Sequence, residues 1–345
     1  MTTLAATHPT LLDVTRRLDP DGKIDMVAEI LAQTNPILED MVWVEGNLPT
    51  GHRSTVRTGL PAPTWRKLYG GVQPTKSTTA QVTDSCGMLE AYAEVDKALA
   101  DLNGNTAAFR MSEDKAFIEG MSQEFAQTLI YGNEGTEPEA FTGFSPRYKD
   151  ISDGQGNVIS SGGASAPDGA AENSSIWLIG WGPDTIHGIY PKGSQAGLSI
   201  SDKGQVTIEN IDGAGGRMEA YRTHYRWDCG LCVRDWRYAV RIAFDAEDLL
   251  ATLASGPNLI DLMVQAEEMI PNLAGCRPVF YANRATLSML RRQIITKASY
   301  NLSFETVGGK HVTMFDGIPV KRCDAILNTE GTTAGNSVVA YPLTL

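Results

Sequence analysis

Cys229-Gly230-Leu231-Cys232 places two thiols at the spacing used by dithiol redox centres and by half of a zinc site. Either chemistry needs more than the pair. Zinc needs two further ligands, and no second such pair or paired histidine is near in the sequence. A redox pair opens a helix after a strand, whereas Trp227 to Arg237 has the composition of a strand. Residues three apart in a strand face opposite sides, so the two sulfurs diverge. The pair reads as two ordinary small residues, and no metal or cofactor is expected.

The other reactive residue types give no constellation either. His8, His52, His187, His224 and His311 never occur as HxH or HExxH and are expected at surfaces or interfaces. Gly213-Ala214-Gly215-Gly216 leads into a strand pattern without a following GKS or GKT, which predicts a tight turn, not a phosphate loop. Glu267-Glu268 and Glu90/Glu94 fall in helical patterns and read as solvated helix faces, not acid–base pairs. No GxSxG is present. No catalytic residue is assigned, and the chain is not expected to be an enzyme.

A different kind of chemistry is concentrated in Gly46 to Thr83. This stretch contains Arg53, Arg57, Arg66, Lys67 and Lys76 and no Asp or Glu, in a chain of formal net charge -12. It has too few spaced apolar residues to bury a face of its own. Trp65 and Tyr69 lie among the cations and could stack on nucleic-acid bases. The acidic remainder of the chain opposes that, because phosphate binding needs net positive surface. A basic extended arm on an acidic protein fits another copy of the same chain, with Arg53, Arg57, Trp65, Arg66, Lys67, Tyr69 and Lys76 as candidate contacts.

The bulk numbers agree with a globular, non-membrane chain. Its 345 residues, 42% hydrophobic and 20% charged, suffice for a sizeable core and set a prior of about two domains. No run of about 18 apolar residues suggests a membrane span, and the N-terminus lacks a secretory pattern. The five scattered cysteines read as unbridged, buried thiols.

Several elements should position the arm. Residues 1–22 read as a flexible arm, and Lys23 to Thr34 as a helix stopped by Asn35-Pro36. If 46–83 folds back as a hairpin of about 17 residues per limb, it reaches roughly 50 Å at about 3.3 Å per residue. Met88, Tyr92, Val95, Leu99 and Leu102 predict a helix capped by Asp84 or Ser85 and ended by Gly104. Phe117, Met121, Phe125 and Leu129 predict a second helix, capped by Ser112, stopped by Gly132 and about 30 Å long.

Residues 133–175 read as loop, with a short hairpin at Asp153-Gly154. Strands follow at Ile176–Trp181 and Thr185–Tyr190, at 198–200 and 206–208 around a turn at Asp202-Lys203-Gly204, and through Met218–Phe244. Within the last run Arg222, His224 and Arg226 share one face, and Tyr221, Tyr225 and Trp227 the other. A helix over Asn258–Ile270, a strand at Val279–Ala282 and a helix capped by Asn283 come next. A hairpin turning at Asp316-Gly317 closes the pattern, with Pro319 placing its second limb at a sheet edge.

This order of elements resembles the major capsid proteins of tailed bacteriophages with the Hong Kong phage-type fold. The resemblance is carried by ILAQTNPILEDMVWVEGNLPTGHRSTVRTGLPAPTWRKLYGG at Ile30–Gly71 and SCGMLEAYAEVDKALADLNG at Ser85–Gly104. VRDWRYAVRIA at Val233–Ala243 and FDGIPVKRCDAIL at Phe315–Leu327 complete it, and it covers about 24–341. It implies an α+β fold with an N-terminal arm and short helix at 1–45, an extended intersubunit loop at 46–83 and a peripheral domain at 84–244 with Met111–Tyr131 as spine helix. An axial domain at 245–315 and C-terminal strands at 316–345 returning to the peripheral domain follow.

The implied function is a structural subunit of an icosahedral shell around a double-stranded DNA genome. The alternatives are a non-viral compartment shell of the same fold, or a soluble carbohydrate-binding protein or α+β enzyme. The implied partners are further copies as pentamers and hexamers, a portal protein and a decoration (cement) protein, with packaged DNA touched only non-specifically and no membrane. About 23 residues precede the first expected helix, which implies a separate scaffolding protein. Assembly is expected in the bacterial host cytoplasm and the final location in the virion capsid.

Overall fold

The computed structural model describes residues 33–101, 106–149, 151, 157–163, 167, 173–209, 215–251, 256–297, 302–307, 310–333 and 337–339. The helix expected at Lys23–Thr34, apart from its last two residues, the hairpin at Asp153-Gly154 and the helix end at Gly104 lie outside the described residues. The elements in chain order are α1 (Ile37–Asp40), β1 (Trp43–Glu45), β2 (Gly51–Gly59), β3 (Thr78–Asp96), α2 (Lys97–Ala100) and α3 (Thr106–Tyr131). They continue with β4 (Val158–Ser160), β5 (Asn173–Trp181), β6 (Ile186–Tyr190), β7 (Ser199–Glu209), β8 (Arg217–Val233) and β9 (Ala239–Asp245). The last third holds α4 (Ala246–Ala251), α5 (Leu259–Met269), β10 (Arg277–Ala282), α6 (Arg284–Lys297), β11 (Leu302–Val307), β12 (Lys310–Phe315), β13 (Ile318–Arg322), β14 (Gly331–Thr333) and β15 (Ser337–Val339). By contacts the chain divides into two compact units, and β3, α3 and β8 contribute residues to both.

The smaller unit takes in Met88–Ala126 and Gly197–Asp228. Here the segment expected as a helix from Ser85 to Gly104 is a strand as far as Asp96. The deciding pattern is the alternation of Leu89, Ala91, Ala93 and Val95, which puts four apolar residues on one face of a strand. Ala93 and Val95 are buried, whereas Met88 and Tyr92 of the expected helical stripe are 68% and 50% exposed. Helix begins only after Asp96, whose carboxylate accepts from Ala98 N at 2.7 Å and caps α2.

Glu90 and Glu94 are therefore not on a helix. They meet the basic face of β8: Arg222 Nε reaches Glu94 at 2.6 Å, and His224 Nε2 lies 3.1 Å from Glu90. Tyr92 stacks on His224 with ring centroids 4.4 Å apart. The opposite face of β8 packs on α3, with Phe125 stacked on Trp227 at 4.6 Å and Phe117 parallel to Tyr225 at 6.1 Å. The expected two faces of this strand are thus both present.

α3 has 26 residues, begins six residues before the expected cap Ser112, and at about 1.5 Å per residue is about 39 Å long. β7 is one continuous strand paired with β8, so Asp202-Lys203-Gly204 is a bulge, not a turn. The bulge is pinned where Asp202 accepts from Gly204 N at 2.8 Å and from Arg110 at 2.6 Å.

The larger unit holds the main core. All nine residues of β5 are buried, the polar Asn173–Ser175 as well as the apolar run Ile176–Trp181, and β5 pairs antiparallel with both β9 and β10. α5 lays Leu259, Leu262, Met263 and Ala266 into a core that also includes Ile176, Leu178, Phe244, Phe280 and Phe315. Asn283 caps α6, its Oδ1 accepting from Thr286 N at 2.8 Å.

β12 and β13 form the expected hairpin, with Asp316 at φ 44° and Gly317 at φ 83° as a two-residue turn. The expectation that Pro319 puts β13 at a sheet edge fails, because β13 has β12 on one side and β10 on the other. Its missing N–H is tolerated because pairing with β10 starts one residue later, at Val320. Of the cysteines expected to be buried, Cys86 and Cys276 are only half-buried.

Candidate assembly interface

The basic arm is a hairpin. β2 pairs antiparallel with the first half of β3, from Gly51 opposite Ser85 to Gly59 opposite Thr78. The strands are shorter than the expected 17 residues per limb, because residues 60–77 form no strand. β2 ends the strand order on its side, so its outer edge is open. The side chain of Asn47 holds the start of that edge, accepting from Arg53 N and donating to Arg53 O, both at 2.7 Å.

All seven residues singled out from the sequence are exposed. Arg53 and Arg57 stand on β2, and Trp65, Arg66, Lys67, Tyr69 and Lys76 lie in the segment beyond it. Arg53 Nε leans on Thr83 Oγ1 of the paired strand at 3.3 Å. Among the described residues none of the five cations forms an ion pair.

Trp65 and Tyr69 are fully exposed, and sequence reasoning missed three apolar companions, Leu60, Leu68 and Val72, exposed by 79%, 87% and 51%. Their signal was the lack of any polar alternation, obscured by the prolines and glycines between them. The segment reverses at Lys67–Gly70, where Gly70 N donates to Lys67 O at 3.1 Å and Tyr69 adopts φ 61°. That left-handed conformation costs a non-glycine residue roughly 1–2 kcal/mol.

This geometry has one physical reading. A two-stranded ribbon is marginal in water without a third strand or a covering face. Its tip offers an aromatic pair, three aliphatic side chains and unpaired positive charge. Burying side chains of this size is worth about 1.5–3 kcal/mol each, and Trp65 and Tyr69 realise none of it within the chain.

One cluster contradicts an expectation. His187 is buried, not at a surface, and lies with His52 and Cys232 so that their ligand atoms are all within 4.8 Å of one another. Cys229 and Cys232 both fall on β8, as the strand pattern predicts.

A basic hairpin arm without a core, a long helix and a mixed sheet are parts of a shell-forming capsid subunit. The chain belongs to the family of the major capsid protein GP7, whose sequence model matches residues 19–334. It is similar to a chain in the near-atomic cryo-EM structure of bacteriophage Epsilon15, with 38% identity, a TM-score of 0.76, and 98% of this chain and 99% of that chain covered.

Weaker matches include the bacteriophage JBD30 capsid, 9% identical with a TM-score of 0.46, covering 89% of this chain and 99% of that one. Another is Mycobacterium phage Adephagia, 12% identical with a TM-score of 0.40, covering 69% and 98%. No curated protein matches the chain in sequence. The fold is of the Hong Kong phage type, and the chain is a structural subunit that assembles with copies of itself into a virion capsid, favoured over a non-viral compartment shell.

Proposed function

We propose that residues 46–83 are the intersubunit clamp of an icosahedral shell enclosing a double-stranded DNA genome. The observation behind this is that the arm exposes Trp65 and Tyr69 fully while its five cations lack acidic partners among the described residues. On a neighbour of the same acidic sequence the aromatics would anchor and Arg53, Arg57, Arg66, Lys67 and Lys76 would pair with surface carboxylates. Individual exposed pairs contribute only about 0–1 kcal/mol, so many copies acting together hold the shell.

In this reading 1–45 is the N-terminal arm and 84–244 the peripheral domain, with α3 as its spine. Residues 245–315 form the axial domain around the five-fold and quasi-six-fold axes, and 316–345 return to the peripheral domain. The subunits form pentamers and hexamers on a separate scaffolding protein in the host cytoplasm, with a portal at one vertex and a decoration protein outside. DNA is touched only non-specifically, and the subunit has no enzymatic role. Electron microscopy of the purified protein, alone and with its scaffold, should show closed shells or capsomers. A monodisperse 37.3 kDa monomer under every condition would sink the reading.

A further inference from the structure

β6, β8, β3 and β2 follow one another in the sheet, and each brings one metal-ligating side chain to the same place. His187 stands directly opposite Cys232 across the β6–β8 pair, and His52 directly opposite Asp84 across the β2–β3 pair. The chain before β2 turns back toward β6: Gly46 N donates to Tyr190 O at 2.8 Å, and Leu48 pairs with Gly51. A Cβ at Gly51 would lie 2.1 Å from Asp84 O, so only glycine allows this close approach. The two imidazoles consequently meet edge to face with ring centroids 5.9 Å apart.

The place is dry and its polar atoms are badly served. His187, Cys232 and Asp84 are 1%, 0% and 3% exposed. Neither nitrogen of His187, nor Nδ1 of His52, nor Oδ2 of Asp84 makes a hydrogen bond of good geometry. Buried polar groups without partners are rare in folded proteins. The other oxygen of Asp84 accepts from Arg147 at 2.8 Å, which keeps this carboxylate anchored beside the thiol.

We propose that His52, His187 and Cys232 bind zinc(II), with the Asp84 carboxylate completing a tetrahedral site. Two imidazoles, a thiolate and a carboxylate are donors that zinc accepts. Bond lengths of about 2.0–2.3 Å put tetrahedral donors about 3.3–3.7 Å apart, against a present spread of up to 4.8 Å among the donors of His52, His187 and Cys232. Small side-chain movements close that gap. On binding, the Cys232 thiol gives its proton to solvent, the imidazoles bind neutral, and nothing is oxidised or reduced.

Four protein ligands leave no open position, so the site is structural. It joins the base of the arm, through His52 and Asp84, to β6 and β8. The nearby Cys229 takes no part, because it lies three residues from Cys232 along one strand and faces the other way.

The test uses the full-length chain, reduced and stripped with a chelator, titrated with cobalt(II) and then with zinc(II), and the assembled shell analysed for metal by mass spectrometry. The expected result is one zinc per chain and, with cobalt, a thiolate charge-transfer band and strong tetrahedral visible bands. Both bands should be lost in Cys232→Ser, weakened in His187→Gln and kept in Cys229→Ser. If a variant does not fold, the wild-type titration decides alone. Absence of the cobalt bands and of stoichiometric zinc in the wild-type chain, or bands that survive Cys232→Ser, would overturn the proposal.

Discussion

The guanidinium of Arg241 lies 2.7 Å from the carboxylate of Glu330, and neither side chain has any exposure to solvent. The pair is the centre of a complete network. Arg241 also donates to Ser175 Oγ at 2.9 Å and to Tyr148 O at 3.1 Å, and stacks over Trp177. Glu330 accepts from Tyr131 at the end of α3 at 2.6 Å and from Ser175. Burial, and then the charge of Glu330, hold the Tyr131 phenol well above its usual titration range, so it remains a donor. β9, the C-terminal segment and the last turn of α3 are thereby fixed to one another inside the larger unit.

Removing one partner leaves an uncompensated buried charge, which costs roughly 3–5 kcal/mol. Glu330→Ala should therefore lower stability by about that amount in denaturant unfolding. Arg241→Met combined with Glu330→Leu should recover most of the loss, because an apolar pair of similar volume needs no desolvation of charge. A double variant no better than the single would mean that the network itself, not the stranded charge, sets the stability.

Gly317 provides a second, local test. Its φ of 83° in the turn between β12 and β13 is strained for any side chain. Gly317→Ala should cost about 1–2 kcal/mol, read as a lower midpoint in thermal unfolding. Gly317→Asn should cost less, since asparagine tolerates this conformation.

Glu267 on α5 gives a pH dependence. Burial raises its titration above the ordinary carboxylate range, with Asp316 and Glu268 adding to the effect. The folded state then binds its proton more tightly than the unfolded state does. That penalty is full above the folded pKa and is relieved as pH falls through the carboxylate range. Glu267→Gln should accordingly be more stable than wild type at neutral pH, with the difference shrinking as pH falls. A constant difference across pH would contradict this.

Much of the larger unit was legible because its elements repeat short-range rules. α5 and α6 show helical spacing and an asparagine before the first turn, and Asp316-Gly317 is a local turn code. β3 departs from the expected helix because its apolar residues satisfy two periods at once. Met88, Tyr92, Val95 and Leu99 fit a helix, while Leu89, Ala91, Ala93 and Val95 fit a strand. Pairing with β8 and packing against α3 decided it, and neither is visible locally. The cluster at His187 was hidden for a related reason. His52, Asp84, His187 and Cys232 come from four separate strands, so no spacing rule unites them.

The charge of the arm predicts a salt response. Exposed ion pairs fade as the Debye length falls to about 3 Å at 1 M salt. Raising salt, or combining Arg53→Glu, Arg57→Glu and Arg66→Glu, should raise the protein concentration needed for assembly, followed by light scattering. An assembly threshold that ignores both changes would leave the cations without a role.

Removing only the tip of the arm tests whether residues 46–83 clamp neighbouring subunits. Residues 60–77 are replaced by Asn-Gly, a two-residue hairpin turn, so that β2 and β3 stay paired. The product is examined by circular dichroism and by cryo-electron microscopy with the scaffold present. An unchanged helical signal and no closed shells are expected. Normal shells built from the shortened chain would contradict the clamp role.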